Sequence, residues 1–203
     1  AYGLEWGDLL TAGKRTDTAA ANGTGVEFGY DGDDFVLLPG TSGNYVSTPD
    51  AAALDIVGDI DLRADVTLDN YADGVTENVL VSKYNTTGNQ RSYRLEIYLD
   101  GTISIIWSPD GTGAAALFAA STVAVTTVVS NGRRIAIRAT LDVNNGAAGH
   151  TAVFYTAPTM DGPWTQLGAA VTGAVSSIFN SNAPVEIGSF NGGLSDVLTG
   201  TVH

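Results

Sequence analysis

Paired carboxylates on one strand face are the residues a retaining glycosidase requires. A Glu-x-Asp-x-x-Glu run would set two of them ~6.6 Å apart at the Cα positions, in reach of one glycosidic bond. The nearest approach is Asp59-Ile60-Asp61-Leu62-Arg63-Ala64. Ala64 stands where the third carboxylate is needed, and Arg63 is placed to pair with the other two. Glu96 and Asp100 would share a face but lie ~13 Å apart along an extended strand. No Gly-x-Ser-x-Gly elbow occurs, and His150 and His203 have no acid or nucleophile at a suggestive spacing. Gly7 to Gly13-Lys14-Arg15 has one residue too many for a phosphate-cradling loop. No catalytic residue is assigned, and the chain reads as a non-enzyme.

Cation and sugar chemistry are the remaining options. Asp31-Gly32-Asp33-Asp34, the group Asp69, Asp73 and Glu77, and the group Asp142, Asn144 and Asn145 are acidic loops of the kind calcium favours. None has the helix-loop-helix calcium spacing, so no metal ligands are named and no cofactor is expected, calcium being the one cation these loops would suit. Sugar rings stack on flat aromatic rings beside polar groups. Over residues 92–99, Arg94, Glu96 and Tyr98 alternate away from Leu95 and Ile97, while Tyr71 and Tyr84 lie in or beside loops. Tyr71, Tyr84, Arg94 and Tyr98 are therefore the candidate glycan-binding residues, weighed against ordinary cross-strand packing. Trp107 and Trp164 fall on apolar stretches and are expected in the core.

What must position these groups follows from composition and period. The 203 residues carry 22 acidic and 9 basic side chains, a net charge of −13. That balance excludes a basic nucleic-acid footprint and disfavours anionic lipid. With no cysteine, neither disulfides nor thiolate metal sites hold the fold. No apolar run approaches the ~20 residues of a membrane span. The first residues lack the basic flank and apolar stretch of a signal peptide. Twenty-five glycines, 44% hydrophobic and only 15% charged residues suit many short strands joined by tight turns.

Residues 16–25 are small, polar and without period, so residues 1–40 read as an N-terminal arm with short strands near 26–30 and 35–38. Beyond them the period is two. Ile60, Leu62, Ala64, Val66 and Leu68 alternate with Asp61, Arg63, Asp65, Thr67 and Asp69, which describes a strand with one wet face. Strands are also expected over 77–84, 92–99, 102–108, 114–127, 132–144, 150–156, 164–167 and 185–190, with Asp100-Gly101 as a hairpin turn. Residues 4–10 and 176–179 are expected to form single helical turns.

In that order, residues 43–50, 59–68, 80–84, 93–107, 151–156, 161–168 and 185–188 resemble successive strands of laminin-G-like domains in the concanavalin A-like superfamily. The resemblance covers residues 43–203. It implies an all-β fold, a two-sheet antiparallel jelly-roll sandwich, over residues 41–203. It also implies a further strand where residues 198–203 only begin one, so the last strand is expected to be missing, cut short or supplied by residues 1–40 or another subunit. The cysteine-free, Ala/Gly/Thr/Asp-rich character is similar to such domains in bacteriophage tail or other virion proteins and bacterial surface proteins. The implied function is a non-enzymatic structural or adhesion protein on a virion surface or otherwise extracellular. Its implied partners are other virion proteins or copies of itself in a homo-oligomeric assembly, with cell-surface polysaccharide as the ligand and neither nucleic acid nor membrane bound. The alternatives are a bacterial cell-surface carbohydrate-binding module and, more remotely, a glycanase.

Overall fold

The computed structural model describes residues 20–30 and 34–203. Its strands are Ala20–Asn22 (β1), Glu27–Tyr30 (β2), Asp34–Pro39 (β3), Tyr45–Thr48 (β4), Ile60–Leu68 (β5), Asn78–Asn85 (β6), Gln90–Ile97 (β7), Thr102–Trp107 (β8), Leu117–Ala124 (β9), Arg134–Asp142 (β10), Gly149–Ala157 (β11), Thr165–Gln166 (β12), Val171–Ala174 (β13), Val185–Ile187 (β14) and Thr199–Val202 (β15). A seven-stranded sheet runs β1-β4-β14-β6-β7-β8-β9. An eight-stranded sheet runs β12-β11-β10-β5-β15-β3-β2, with β13 beside β11. The two antiparallel sheets form the expected jelly-roll sandwich.

The alternation seen in the sequence is what closes the core. Ile60, Leu62, Ala64, Val66 and Leu68 of β5 face Leu95, Ile97, Ile103, Ile105 and Trp107 of the other sheet in one apolar cluster. Each fully buried side chain of this size contributes about 1.5–3 kcal/mol. Trp107 is fully enclosed as expected, its Nε1–H donating to Ser176 Oγ at 3.0 Å and its ring meeting His150 edge-on at 4.9 Å. The β7–β8 hairpin turns at Asp100-Gly101. Gly101 takes φ +82°, and Asp100 accepts bonds from the Thr102 N–H and hydroxyl.

Several expectations need correction. The strand over 185–190 stops at Ile187, because Gly188 turns at φ +83° and a Cβ there would sit 2.2 Å from Leu38 Cδ1. Residues 176–179 form no helical turn, and residues 4–10 lie outside the described residues. The closing strand is present: β15 pairs with β5 on one side and β3 on the other. Residues 27–39 then extend the same sheet as the β2–β3 hairpin, and β1 pairs with β4 in the opposite sheet. Among the described residues before position 41, β1, β2 and β3 are thus paired into the two sheets of the sandwich.

Lys83 and Tyr71 carry polar groups into the interior. Lys83 is fully enclosed and its ammonium is surrounded by four oxygens. Nζ contacts Asp50 Oδ1 and Ser181 O, and it lies 3.2 Å from Ala183 O and 3.3 Å from Asp55 Oδ1, the last not aligned for a hydrogen bond. Tyr71 plugs the end of the sandwich. Its hydroxyl donates toward Arg133 O at 2.8 Å and Val66 O at 3.2 Å and accepts from Leu68 N–H at 3.3 Å. Burial pushes that phenol up to about 12. Tyr71→Phe is expected to cost about 1–2 kcal/mol in urea unfolding, since it strands a buried N–H and two carbonyls; an unchanged midpoint would contradict this.

Candidate functional site

The four residues chosen from the sequence do not assemble into an open site. Tyr71 is 0% exposed with its hydroxyl satisfied, so it has no surface to offer a ligand, which removes it from the candidate set. Tyr84 and Arg94 do come together on the outer face of the seven-stranded sheet, yet they are 8% and 9% exposed. The Arg94 guanidinium lies 4.4 Å from the Phe190 ring and 5.3 Å from the Tyr84 ring, and those rings meet at 5.5 Å. Three carboxylates surround it: Glu96 at 3.0 Å, Glu77 at 3.3 Å and Asp196 at 3.5 Å. Glu96 is fully buried, and that burial pushes its carboxyl up to about 7 against the opposing pull of Arg94. Glu77 is raised as well, again chiefly by burial.

The lid on this cluster is the loop after β14. Glu186 projects outward from β14 and accepts the N–H groups of Gly192 at 2.8 Å and Gly193 at 3.2 Å, with the Ser189 hydroxyl at 3.0 Å. That anchor holds Phe190 over Arg94. The arrangement is an internal clamp that ties a loop to a sheet. Tyr98, further along the same face, is half-buried against the half-exposed ring of Phe118 at 5.8 Å.

The opposite outer face is built differently. Asp61 and Arg63 of β5, Arg138 of β10 and Tyr155 of β11 occupy adjacent outward positions, since Arg138 pairs with Arg63 on one side and with Tyr155 on the other. Arg138 grips Asp61 through Nε at 3.0 Å and Nη2 at 2.8 Å. Arg63 grips the same carboxylate through Nε at 3.1 Å and Nη2 at 2.8 Å. Partial burial opposes ionisation of Asp61, but the bonds from Arg63 and Arg138 outweigh it and hold the carboxyl below its usual range. It has no proton to lend as a general acid at neutral pH. The two guanidiniums in turn flank Trp164, at 5.8 Å for Arg63 and 6.0 Å for Arg138, and Arg138 lies 5.0 Å from Tyr155. Planar groups thus line a wet sheet face, each fixed by its neighbour.

Trp164 is not in the core, contrary to expectation. Trp164 and Leu167 are three residues apart, so a period of two puts them on opposite faces, and Leu167 takes the inside. Its parity with outward Gln166 was the available signal. The pairing of Arg63 with the acids was legible; that Arg138 joins it required knowing that β10 lies beside β5.

Other candidate chemistry disperses. The Asp73 carboxylate is spent on the N–H groups of Val75 and Thr76, Glu77 turns to Arg94, and Asn145 bonds Thr151. Asp31 and Asp33 lie outside the described residues. Among the described residues no three His, Asp or Glu side chains gather to hold a metal ion. His150 is buried, its Nδ1–H donating to Ala174 O at 2.6 Å. An open pocket of about 480 Å³ lies at one end of the eight-stranded sheet, lined by Thr67, Gly132, Arg133, Arg134, Thr201 and His203.

The chain matches no protein-family model and no curated protein sequence. Its fold is shared with solved binding domains of botulinum neurotoxins. The serotype G binding domain superposes with a TM-score of 0.59 at 12% identity, covering 92% of this chain and 41% of that one. A structure of botulinum neurotoxin type C, whose cell entry depends upon interaction with two ganglioside molecules, gives a TM-score of 0.61 at 4% identity, covering 92% and 40%. The binding domain of neurotoxin DC in complex with rat synaptotagmin II gives 0.58 at 6%, again covering 92% and 40%. This chain spans about two fifths of the length of each of those proteins.

Proposed function

We propose that the chain is a non-catalytic adhesion module that binds surface glycans on the outer face of the eight-stranded sheet. We place it on a virion, in a phage tail or on a capsid, among copies of itself; a bacterial cell-surface carbohydrate-binding module is the alternative setting. One observation carries the glycan reading: Trp164 and Tyr155 present half-open rings on a flat sheet face, flanked by the fixed polar groups of Arg63, Arg138 and Asp61. Sugars are held by such pairs of ring face and directional polar group. The neighbours with this fold include the type C neurotoxin, whose cell entry depends on interaction with two ganglioside molecules, and the sandwich matches two fifths of that chain. The absence of catalysis is supported by Ala64 at the third carboxylate position and by Asp61 being held as an ion.

The test is binding to a panel of immobilised neutral and acidic oligosaccharides. Trp164→Ala is expected to weaken the best ligand at least about tenfold, some 1.4 kcal/mol. Its thermal midpoint should hardly move, because the ring lies outside the core. Retention of full affinity in that variant would overturn the assignment of this face. Release of reducing sugar from any panel member would overturn the non-catalytic reading, and the virion setting is checked by whether native particles carry the chain in many symmetric copies.

A further inference from the structure

We infer that this face selects acidic saccharides, chains bearing carboxylate or sulfate groups, over neutral ones; the inference rests on the glycan-binding reading above. Its ground is where the positive charge lies. Of the seven Lys and Arg side chains from residue 20 onward, Lys83 and Arg94 are buried and Arg91 turns to Asn89 and Gly111 O. The other four, Arg63, Arg133, Arg134 and Arg138, gather along β5 and the start and middle of β10. A protein of net charge −13 repels an anionic polymer in general, so among the described residues this face is the favoured approach for such a polymer.

The local geometry supplies the recognition. Asp61 is one carboxylate held by two guanidinium forks, which leaves a net positive charge beside Trp164. Each fork uses Nε and Nη2 on Asp61. The Nη1 group of each has no hydrogen-bond partner among the described residues, so ordered donors remain for a second anion. Asp61 therefore does two things: it fixes both forks in place and it halves their charge. A sugar laid on Trp164 and Tyr155 brings its acidic substituent to those donors. Arg134 lies four residues from Arg138 along β10, ~13 Å away, but Asp65 neutralises it at 2.9 Å, so the positive charge on this side is that of the Arg63–Arg138 pair and, beyond it, of Arg133 at the pocket.

The experiment titrates the whole chain with polygalacturonate, dextran sulfate and neutral dextran at low and raised salt. At least one anionic polymer is expected to bind at least tenfold more tightly than dextran, to weaken several-fold with salt, and to lose affinity in Trp164→Ala. Which polymer binds assigns carboxylate or sulfate. Arg63→Gln with Arg138→Gln should remove the preference for the acidic polymer. Asp61→Asn provides the arm that misfolding cannot imitate: with the counter-charge gone, acidic polymer should bind several-fold more tightly. Equal or better binding of neutral dextran, still sensitive to Trp164→Ala, overturns acidic selectivity and leaves the glycan reading standing. Anionic binding indifferent to Trp164→Ala, or unimproved by Asp61→Asn, also overturns the inference. No binding of any saccharide, here or on the oligosaccharide panel, overturns both.

Discussion

Replacing Asp50 and Asp55 together by alanine is expected to destabilise the protein by about 3–5 kcal/mol, more than the roughly 1–3 kcal/mol expected for Lys83→Met. The asymmetry follows from which charge is buried. The Lys83 side chain is 0% exposed, whereas those of Asp50 and Asp55 are 33% and 25% exposed. Without its acids the ammonium keeps only the Ser181 and Ala183 carbonyls and has no route to water. Without the ammonium, the two carboxylates turn to solvent, and what is lost is the donor for two buried carbonyls. The triple variant should recover part of the double variant's deficit, because the stranded charge is gone. Urea unfolding of the four proteins checks the order; a larger loss in Lys83→Met than in the double aspartate variant would refute the argument.

The second large effect is on pH dependence. Glu96 has its carboxyl raised from 4.5 to about 7 by burial, with Arg94, Glu77, Asp196 and the Ser104 hydroxyl around it. A raised carboxyl means the folded state holds the proton more tightly than the unfolded chain. Its stabilising contribution is therefore complete below about pH 4.5 and is lost as pH rises through 7. The full swing is on the order of 3 kcal/mol, and Glu77, shifted the same way, adds to it. Glu96→Gln keeps a partner for Ser104 and removes the larger titration, so its stability should fall much less across that range than that of the wild type, the remainder being the share of Glu77. Parallel curves for the two proteins would sink the idea. The opposite limb lies lower. Asp61, Asp73 and Asp100 are held below their ordinary value by hydrogen bonds, so what they contribute disappears only as pH falls beneath about 4.

The strands with one wet face were legible because a period of two leaves a mark whenever one side is buried. Residues 59–69 show it most clearly, and the observed strand, Ile60–Leu68, ends one residue inside each bound. Strands lacking that mark were harder. β14 stops three residues short of the expected end because Gly188 fits the contact with Leu38, and nothing local to 185–190 reports on residue 38. The candidate site was legible only in its types. Arg94, Glu96 and Tyr98 do point away from the core face, but the sequence around β7 cannot show that a loop a hundred residues later lies over Arg94. Trp164 was misplaced for a different reason, an apolar neighbour counted without its parity. The Lys83 cage has no sequence signature, since its oxygens come from two distant stretches, residues 50–55 and 181–183, and two belong to the backbone.

The position of β15 also sets a clock. In the eight-stranded sheet, β3 touches β2 on one edge and β15 on the other, with Val36 opposite Val202. The β2–β3 hairpin therefore has no seat in that sheet until residues 199–202, some 160 positions further along, have left the ribosome. A two-stranded hairpin is marginal by itself in water, so early in synthesis this one waits as an unpaired, apolar strand edge. Residues 199–202 are the ones that join that hairpin to β5 in the middle of the sheet.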